Sequence, residues 1–338
     1  MAYDLVGKDV LVTGATGFIG SRVAKELARR GARVRALARD PAKARDLASP
    51  GISVVVGDMA DPDSIEKAVQ GCQLVLHFAG TTNEFKPRAH FERVNIEGTR
   101  VLAEAALRER VERFVHISTV WVYGLRSGPG ICETSECKAS GQAYSDTKLE
   151  AERAIRRLIN ERDLPAIILQ PSEVYGPGDP NWTVRPLDLI RTGRMVLANG
   201  GRGLIQPIFI EDLVQGVLLA VDTGRTGETY ILCGPEAVTI REYFSYFTRM
   251  LGKKRPPAVP GLLALGAASV AELVSRVFKS PPVFTRQEVL STMATATYDG
   301  GKAARELGFA PRTTLAEGMR EVEGWLSASS GSAENRRN

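Results

Sequence analysis

Cysteine is scarce in this sequence. Its 338 residues include four cysteines, at Cys72, Cys132, Cys137 and Cys233. They are too few and too dispersed for the disulfide framework of a small secreted domain. No histidine or further cysteine lies near Cys132 and Cys137 to complete a zinc site. We therefore expect reduced thiols, a cytoplasmic protein and no metal.

Long apolar runs and blocks of one charge are also missing. The first residues lack a basic segment followed by an apolar run, so we expect no signal peptide. Pro260, Gly261, Gly266, Glu272 and Arg276 interrupt the most apolar stretch, 258–278, so no stable membrane insertion is expected. The 44 basic and 39 acidic residues are spread along the whole chain, so the net charge of +5 predicts no nucleic-acid partner.

The first half of the chain instead contains a regular alternation of short β-branched runs with segments of helical periodicity. Alternation of this kind predicts parallel strands joined by helical crossovers, hence an α/β fold with a doubly wound parallel sheet. The predicted strands include 10–12, 34–37, 54–56, 74–76, 114–117 and 166–169.

The alternation loosens after Pro171. Residues 172–207 are rich in proline, glycine, tryptophan and arginine, strand and helix patterns return over 208–233, and the chain from 234 is mostly helical. We therefore expect a sheet domain made of 1–171 plus 208–233. A smaller, mostly helical domain made of 172–207 plus 234–325 would bind the substrate. The polar tail 327–338 is expected to be disordered.

A glycine-rich turn, 13–20, separates the first predicted strand from the first helix, with its glycines spaced three and three. Such a turn lets backbone N–H groups approach a pyrophosphate, and the helix N-terminus adds a partial positive charge. The turn therefore predicts a dinucleotide site. The residues expected to contact the cofactor there are Gly14, Thr16, Gly17, Phe18, Ile19 and Gly20.

This spacing resembles that of the extended short-chain dehydrogenases of the NAD-dependent epimerase/dehydratase superfamily. The resemblance covers about residues 8–326 and implies a Rossmann dinucleotide-binding fold. Further family segments follow in order: Asp58-Met59, His77-Phe78-Ala79-Gly80, Asn95, Val122-Tyr123-Gly124, Tyr144-x-x-x-Lys148, Val174-Tyr175-Gly176-Pro177-Gly178 and a C-terminal segment from Lys302 to Pro311.

The resemblance also assigns roles to several of these positions. It implies that Asp58 and Met59 contact the adenine, and that Asn95 opens a helix. The segment His77-Phe78-Ala79-Gly80 would lie beside the nicotinamide ribose, and Pro171 and Val174 are further expected cofactor contacts.

The end of the second strand bears on the choice of cofactor, because acidic residues there usually hold the 2′-hydroxyl of NAD. Here the sequence reads Ala38-Arg39-Asp40. A guanidinium can pair with a 2′-phosphate, whereas a carboxylate would repel it. Arg39 therefore favours NADP(H). The alternative is that Arg39 is solvated and Asp40 serves NAD.

Tyr144 and Lys148 stand four residues apart, so they share one face of a helix, and the apolar Ala151 and Ile155 continue that face inward. A nearby ammonium stabilises a phenolate and makes tyrosine a usable acid or base. The resemblance implies that Lys148 also bonds the nicotinamide ribose. The family register makes Thr119 the third catalytic residue, with Ser118 as its competitor.

Three functions remain open: a reductase or dehydrogenase, a nucleotide-sugar epimerase or dehydratase, and a non-catalytic dinucleotide sensor. A sensor would not need Tyr144 and Lys148. Val120 and Trp121 stand where family dehydratases have an Asp-Glu pair, and Glu173 stands where sugar-nucleotide members have an Asn. The segment around 170–179 is more similar to the 3β-hydroxysteroid dehydrogenase and dihydroflavonol reductase branch.

We therefore expect interconversion of a secondary alcohol and a ketone on a bulky, hydrophobic substrate. The substrate contacts would include Thr82, Trp121 and Glu173. Family members commonly dimerise through two helices, so a homodimer is expected. The apolar residues predicted to form its interface are Val101, Leu102, Ala105, Ala106, Leu158 and Ile159.

Overall fold

The computed structural model of the protein describes residues 3–47, 49–82, 86–125, 127–278 and 284–334. Seven of its strands form one parallel sheet in the order β12-β7-β5-β4-β1-β2-β3. The strands are β1 (Asp9–Thr13), β2 (Arg33–Ala38), β3 (Ile52–Val56), β4 (Leu74–His77), β5 (Arg113–Ile117), β6 (Ser127–Ile131), β7 (Ala166–Pro171), β8 (Val174–Tyr175), β9 (Leu197–Ala198), β10 (Leu204–Ile205), β11 (Ile208–Phe209), β12 (Thr229–Leu232), β13 (Val238–Thr239), β14 (Ala258–Val259) and β15 (Thr295–Tyr298).

Helices cover both faces of this sheet. They are α1 (Phe18–Arg29), α2 (Pro62–Val69), α3 (Arg88–Phe91), α4 (Gly98–Arg108), α5 (Ala143–Arg162), α6 (Arg185–Arg191), α7 (Ile210–Thr223), α8 (Ile240–Met250), α9 (Gly261–Phe278), α10 (Arg286–Ser291), α11 (Gly301–Leu307) and α12 (Leu315–Glu334). One core packs α1, α7 and α11 on the sheet, and a second packs α2, α4 and α5 on it.

The predicted α/β fold class is confirmed, because all six predicted runs are strands of the parallel sheet. The strand order reverses between β1 and β4, whose carboxyl ends therefore border a crevice. The 208–233 segment supplies β12, which pairs with β7 and completes the sheet. The proposed division into two domains stays a prediction.

The chain beyond the large sheet builds a separate aromatic cluster. Tyr243 stacks edge-on against Tyr175, Phe244 and Phe247, and it donates a hydrogen bond to the Trp182 carbonyl oxygen at 2.8 Å. Short two-stranded pairings, such as β9 with β14, join these segments. The cluster fixes α8 against the loop that follows β8, and both contribute to the site described below.

Two predictions require correction. Helix α12 continues to Glu334, so the prediction of a disordered tail is wrong for 327–334, while 335–338 lie outside the described residues. Leu102, Ala105 and Ala106 are fully buried inside the core beside α2 and α5, and Leu158 is almost so. They therefore offer no free dimer surface, and the oligomeric state stays a prediction. Among the described helices, none is long and apolar enough to cross a bilayer.

Candidate active site

The glycine turn after β1 has a geometry that only glycine allows. Gly14 has φ of +67°, and a Cβ there would lie 2.7 Å from the Ala79 backbone nitrogen. A Cβ on Gly20 would lie 2.3 Å from the Gly14 carbonyl oxygen. A side chain at either position would therefore break the close approach of the turn to α1 and to the loop after β4.

The start of α1 suits a bound pyrophosphate. Its N-cap, Gly17, supplies no capping side chain, and the first turn of this helix contains no acidic residue. No capping side chain competes for this helix N-terminus, where the helix dipole favours an anion. The residues present fit a dinucleotide cofactor.

Tyr144 and Thr119 meet at the carboxyl end of the sheet. Thr119 follows β5 and Tyr144 lies in the first turn of α5, and the Thr119 hydroxyl is close enough to lower the pKa of Tyr144. Burial raises the pKa of Tyr144 to about 12, which the Thr119 hydroxyl partly offsets. The competitor Ser118 is also buried at the cavity, but its hydroxyl has no hydrogen-bond partner within the described structure. The geometry therefore favours Thr119 as the partner of Tyr144.

Lys148 lies one turn after Tyr144 and almost out of contact with solvent. Its ammonium donates a hydrogen bond to the Ile117 carbonyl oxygen at 2.5 Å. Burial lowers the pKa of Lys148 to about 8, and the nearby Glu152 carboxylate acts in the opposite direction. Ala151 and Ile155 are fully buried, which confirms the predicted inward face of α5.

A buried polar network that the sequence reasoning missed extends from α5 toward β7. Glu152, 1% exposed, accepts hydrogen bonds from Arg156 at 2.8 Å and from the Gln170 side chain at 2.9 Å. Gln170 in turn accepts one from the Tyr123 hydroxyl at 2.7 Å. The spacing of Tyr144, Lys148 and Glu152, four and four, was the signal that could have revealed it.

Asn95 connects the loop after β4 to the catalytic helix. Its Oδ1 accepts from the Thr81 backbone N–H at 2.8 Å, and its Nδ2 donates to the Thr147 hydroxyl at 3.0 Å. The prediction that Asn95 opens a helix is wrong: it lies in the π-helical segment Glu92–Glu97, which continues from α3 into α4. Such π-helical segments are common at functional sites.

A chain of buried hydrogen bonds through His77 also supports the loop after β4. His77 contacts the hydroxyl oxygens of Thr13, at 2.7 Å, and Thr99, at 2.8 Å. Thr13 accepts from the Ala79 backbone N–H, and Thr99 donates to the Asn95 carbonyl oxygen. Burial, together with the Lys148 charge, lowers the pKa of His77 to about 3. His77 is therefore a neutral structural side chain.

These elements enclose a cavity of about 520 Å³. Most of the predicted site residues line it. They are Gly14, Gly17, Phe18, Ile19, Gly20, Phe78, Gly80, Thr82, Thr119, Trp121, Tyr144, Lys148, Pro171, Glu173 and Val174.

Five predicted cofactor contacts do not line this cavity. Thr16 is exposed on the turn, and the Ala79 backbone N–H donates a hydrogen bond to the Thr13 hydroxyl. Arg39 is exposed just beyond β2, and Asp58 accepts a hydrogen bond from the Ala60 backbone N–H at 3.0 Å. Met59 is buried against Gly98. Arg39 and Asp58 follow neighbouring strands at the same carboxyl edge, beyond the end of the cavity.

The far wall of the cavity comes from segments distant in sequence. Sequence reasoning did not assign these residues, because no motif marks them and they meet only through the packing of α6, α8 and α10. They include Trp182, Leu189, Met195, Ile240, Phe244 and Val289. The wall away from the cofactor turn is therefore largely apolar.

Glu173 is the main acidic exception in this region. It is 4% exposed, and its Oε2 accepts a hydrogen bond from the Gln206 backbone N–H at 3.2 Å. Burial raises the pKa of the Glu173 carboxyl. Asp179, which caps the turn before α6, is also buried at the cavity, and burial raises its pKa to about 7.

Residues 10–233 match the sequence model of the NAD dependent epimerase/dehydratase family. The chain belongs to this family. The glycine turn, the parallel sheet and the Tyr-Lys pair agree with that assignment, and the protein is an NAD(P)-dependent enzyme of the extended short-chain dehydrogenase type.

Two curated relatives are similar over nearly their whole length. The 4-hydroxy-2-methyl-3-oxo-4-farnesyl-3,4-dihydroquinoline-1-oxide ketoreductase of Stigmatella aurantiaca is 29% identical over 317 residues, covering 91% of this chain and 93% of the relative. Sterol demethylase protein B of Methylococcus capsulatus is 31% identical over 318 residues, covering 90% and 94%. The crystal structure of gox2253 is 31% identical with a TM-score of 0.78, covering 96% of this chain and 99% of that one. The named relatives support oxidoreduction.

Proposed function

We propose that the protein is an NADP(H)-dependent oxidoreductase that interconverts a secondary alcohol and a ketone on a bulky, hydrophobic substrate. The observation that carries this proposal is the Tyr144–Thr119 pair, which borders a cavity with a largely apolar far wall. Cavities of this kind suit apolar ligands that are oriented by a few polar groups. A farnesylated quinoline and a sterol appear in the names of the two relatives.

The nicotinamide would supply or accept the hydride. In the direction of reduction, the Thr119 and Tyr144 hydroxyls hold the carbonyl oxygen of the substrate, and Tyr144 donates its proton to that oxygen. The Lys148 ammonium stabilises the phenolate that remains, which lowers the pKa of a tyrosine that burial has raised to about 12. The phenolate then recovers a proton from solvent.

The charges around the cavity argue against a nucleotide-sugar substrate. Arg185, which lines the cavity, forms an ion pair with Glu288 and is thereby neutralised. Arg194 also lines it, whereas the buried Glu173 would repel a diphosphate if ionised. Val120 and Trp121 cannot perform the acid–base step of a dehydratase, and Val120 is fully buried.

The test is a panel of bulky ketones and of UDP-sugars, assayed for product and for the absorbance of NADPH. A reductase consumes one NADPH for each alcohol formed and prefers the apolar ketones. Conversion of a UDP-sugar without net change in NADPH would instead establish the alternative, an epimerase.

The preference for NADP(H) is proposed from Arg39. Its side chain is exposed beyond β2, while the Asp40 carboxylate accepts a hydrogen bond from the Ala42 backbone N–H at 2.9 Å. Asp40 is thus engaged in a local turn. We expect NADPH to bind more tightly than NADH. Arg39→Ala should remove most of an advantage of about ten- to a hundredfold, as a charge-assisted bidentate contact provides.

Arg29→Ala, on the exposed side of α1, is the matched control and should leave both affinities unchanged. Equal affinity of the wild-type protein for the two cofactors would refute the assignment. Dimerisation and a cytoplasmic location also stay proposals; a scattering mass of one chain at micromolar concentration would contradict the dimer.

A further inference from the structure

The outward side of α9 is apolar along its whole length. We name this surface the α9 face: Leu262, Leu263, Val270, Leu273, Val274 and Phe278. All six side chains are exposed, from 46% at Val274 to 85% at Leu262. Gly266 and Ala267, also exposed, lie between them. A group of exposed apolar side chains of this kind marks an interaction site.

The helix is held to the protein by its small residues. Ala264 and Ala268 are buried against Ala198 and Val289, so the backbone of α9 lies close to β9 and α10. Leu265 is partly buried beside them, whereas the large side chains of the α9 face are left on the outside. The packing is the reverse of that of an ordinary surface helix, whose large apolar residues face inward.

The charge next to the α9 face is positive. Lys253, Lys254 and Arg255 are exposed shortly before the helix, and the sequence contains no acidic residue from 251 to 271. Glu272, the first acid to follow, accepts a hydrogen bond from the Arg286 backbone N–H at 2.7 Å and so is engaged with α10. Exposed cations beside exposed aliphatic side chains complement the headgroups and acyl chains of an anionic lipid surface.

Helix α9 also contacts α10, one of the helices that line the cavity. The Arg286 side chain donates to the Ser269 hydroxyl at 3.1 Å, which joins α10 to α9. Glu288 and Val289 of α10 line the cavity, and Glu288 forms its ion pair with Arg185 at the start of α6. A membrane contact at α9 would therefore lie one helix away from the space beside Tyr144.

We propose that the α9 face, together with Lys253, Lys254 and Arg255, binds the surface of an anionic lipid bilayer. The contact is peripheral, because the helix lies along the surface and does not cross it. The proposal rests on the exposed side chains and charges alone. It stands whether or not the substrate is apolar.

The experiment is sedimentation of the full-length protein with phosphatidylcholine vesicles, with and without phosphatidylglycerol. Three variants are compared with wild type: Leu262→Ser with Leu263→Ser, Lys253→Gln with Lys254→Gln and Arg255→Gln, and the control Val6→Ser. Val6 is 72% exposed but lies before β1, away from α9. Circular dichroism verifies that each variant is folded.

We expect wild type and Val6→Ser to bind the phosphatidylglycerol vesicles, and high salt to weaken the binding. The leucine variant should bind at least about tenfold less tightly, because two large apolar side chains no longer enter the bilayer. The cationic variant should lose the preference for phosphatidylglycerol.

Absence of vesicle binding by wild type, or equal binding by the leucine variant, would overturn the proposal. A second copy is the competing occupant of the face. A scattering mass that falls from two chains to one in the leucine variant, without any vesicle binding by wild type, would assign the face to that copy instead. Neither outcome depends on the ketoreductase assay, so failure here leaves the proposed function untouched.

Discussion

Helices α1 and α9 are both amphipathic, but they place their large apolar residues on opposite sides. In α1, Val23 and Leu27 are fully buried against the sheet while Lys25 and Arg29 are exposed. In α9, the buried positions are alanines, and residues such as Leu263 remain exposed. The sheet has a broad apolar face that buries large side chains completely, whereas β9 and α10 bury the alanines of α9 completely and Leu265 only in part.

The difference shows that apolar content does not by itself decide which residues form a core. What decides is the shape of the partner surface, because close approach through alanine leaves little room for leucine side chains at the same interface. The interruptions in 258–278 argued against a spanning helix, but they gave no information on which side of α9 would be buried. The predictions below compare buried positions with the α9 face.

The largest difference is expected in catalysis. Tyr144→Phe keeps the ring and removes only the proton donor, so turnover should fall at least about a hundredfold while NADPH still binds. Leu263→Ala, assayed with the same soluble ketone, should retain nearly full turnover. Steady-state rates and cofactor titration measure both. Normal turnover in Tyr144→Phe would end the proposed mechanism.

The second difference is in stability. Leu27→Ala removes a fully buried side chain from the core under α1 and should lower the free energy of unfolding by about 2–5 kcal/mol. Chemical denaturation measures the change. A loss below about 0.5 kcal/mol would mean that α1 contributes far less to the core than its burial indicates.

The third prediction concerns a buried charge. Burial lowers the pKa of Lys148 from its ordinary 10.5 to about 8, which corresponds to a penalty of about 3–4 kcal/mol in the protein without cofactor. Lys148→Met should therefore abolish catalysis yet stabilise the apoprotein by up to that amount.

The pH dependence of that gain has a definite sign. Below about pH 8 both the folded and unfolded states carry the ammonium, so the penalty is complete. As the pH rises from 8 to 10.5 the unfolded state binds more protons, and the penalty shrinks to zero. Melting curves of both proteins across this range should converge. A difference in melting temperature between wild type and Lys148→Met that grows as the pH rises would contradict the explanation by a buried cation.

The smallest effect is expected on the α9 face itself. Leu263→Ser should change the free energy of unfolding by no more than about 0.5 kcal/mol in the absence of lipid, since the side chain is 64% exposed. Thermal melts alongside Leu27→Ala make the comparison direct. A loss as large as that of Leu27→Ala would show that Leu263 is buried in solution.

The sequence was sufficient for the sheet and for the centre of the site. The strands are contiguous β-branched runs, and Tyr144 and Lys148 are related by one helical turn, so both follow from local periodicity. Thr119 followed from the family register. The cavity wall did not, because Met195 and Phe244 belong to segments that meet only after folding.

Two local errors have local causes. Asn95 was placed at a helix start, but the π-helical segment Glu92–Glu97 carries the helix through it. The tail was expected to be disordered because it is polar. In the structure, the hydrogen-bonding needs of two of its serines are met within the helix. The hydroxyls of Ser327 and Ser329 donate to the backbone carbonyl oxygens four residues earlier.

The buried chain through His77 has a direction. Thr99 donates its only hydroxyl proton to the Asn95 carbonyl oxygen, so it can only accept from His77 Nε2, and His77 Nδ1 must accept from Thr13. Thr13 is then left to accept from the Ala79 backbone N–H. No single hydrogen bond in this chain can reverse its direction, because the chain begins at a backbone N–H, which only donates, and ends at a backbone carbonyl oxygen, which only accepts. The fixed directions of these hydrogen bonds allow a single imidazole tautomer of His77. They thereby hold the loop after β4 in a fixed position relative to the catalytic helix.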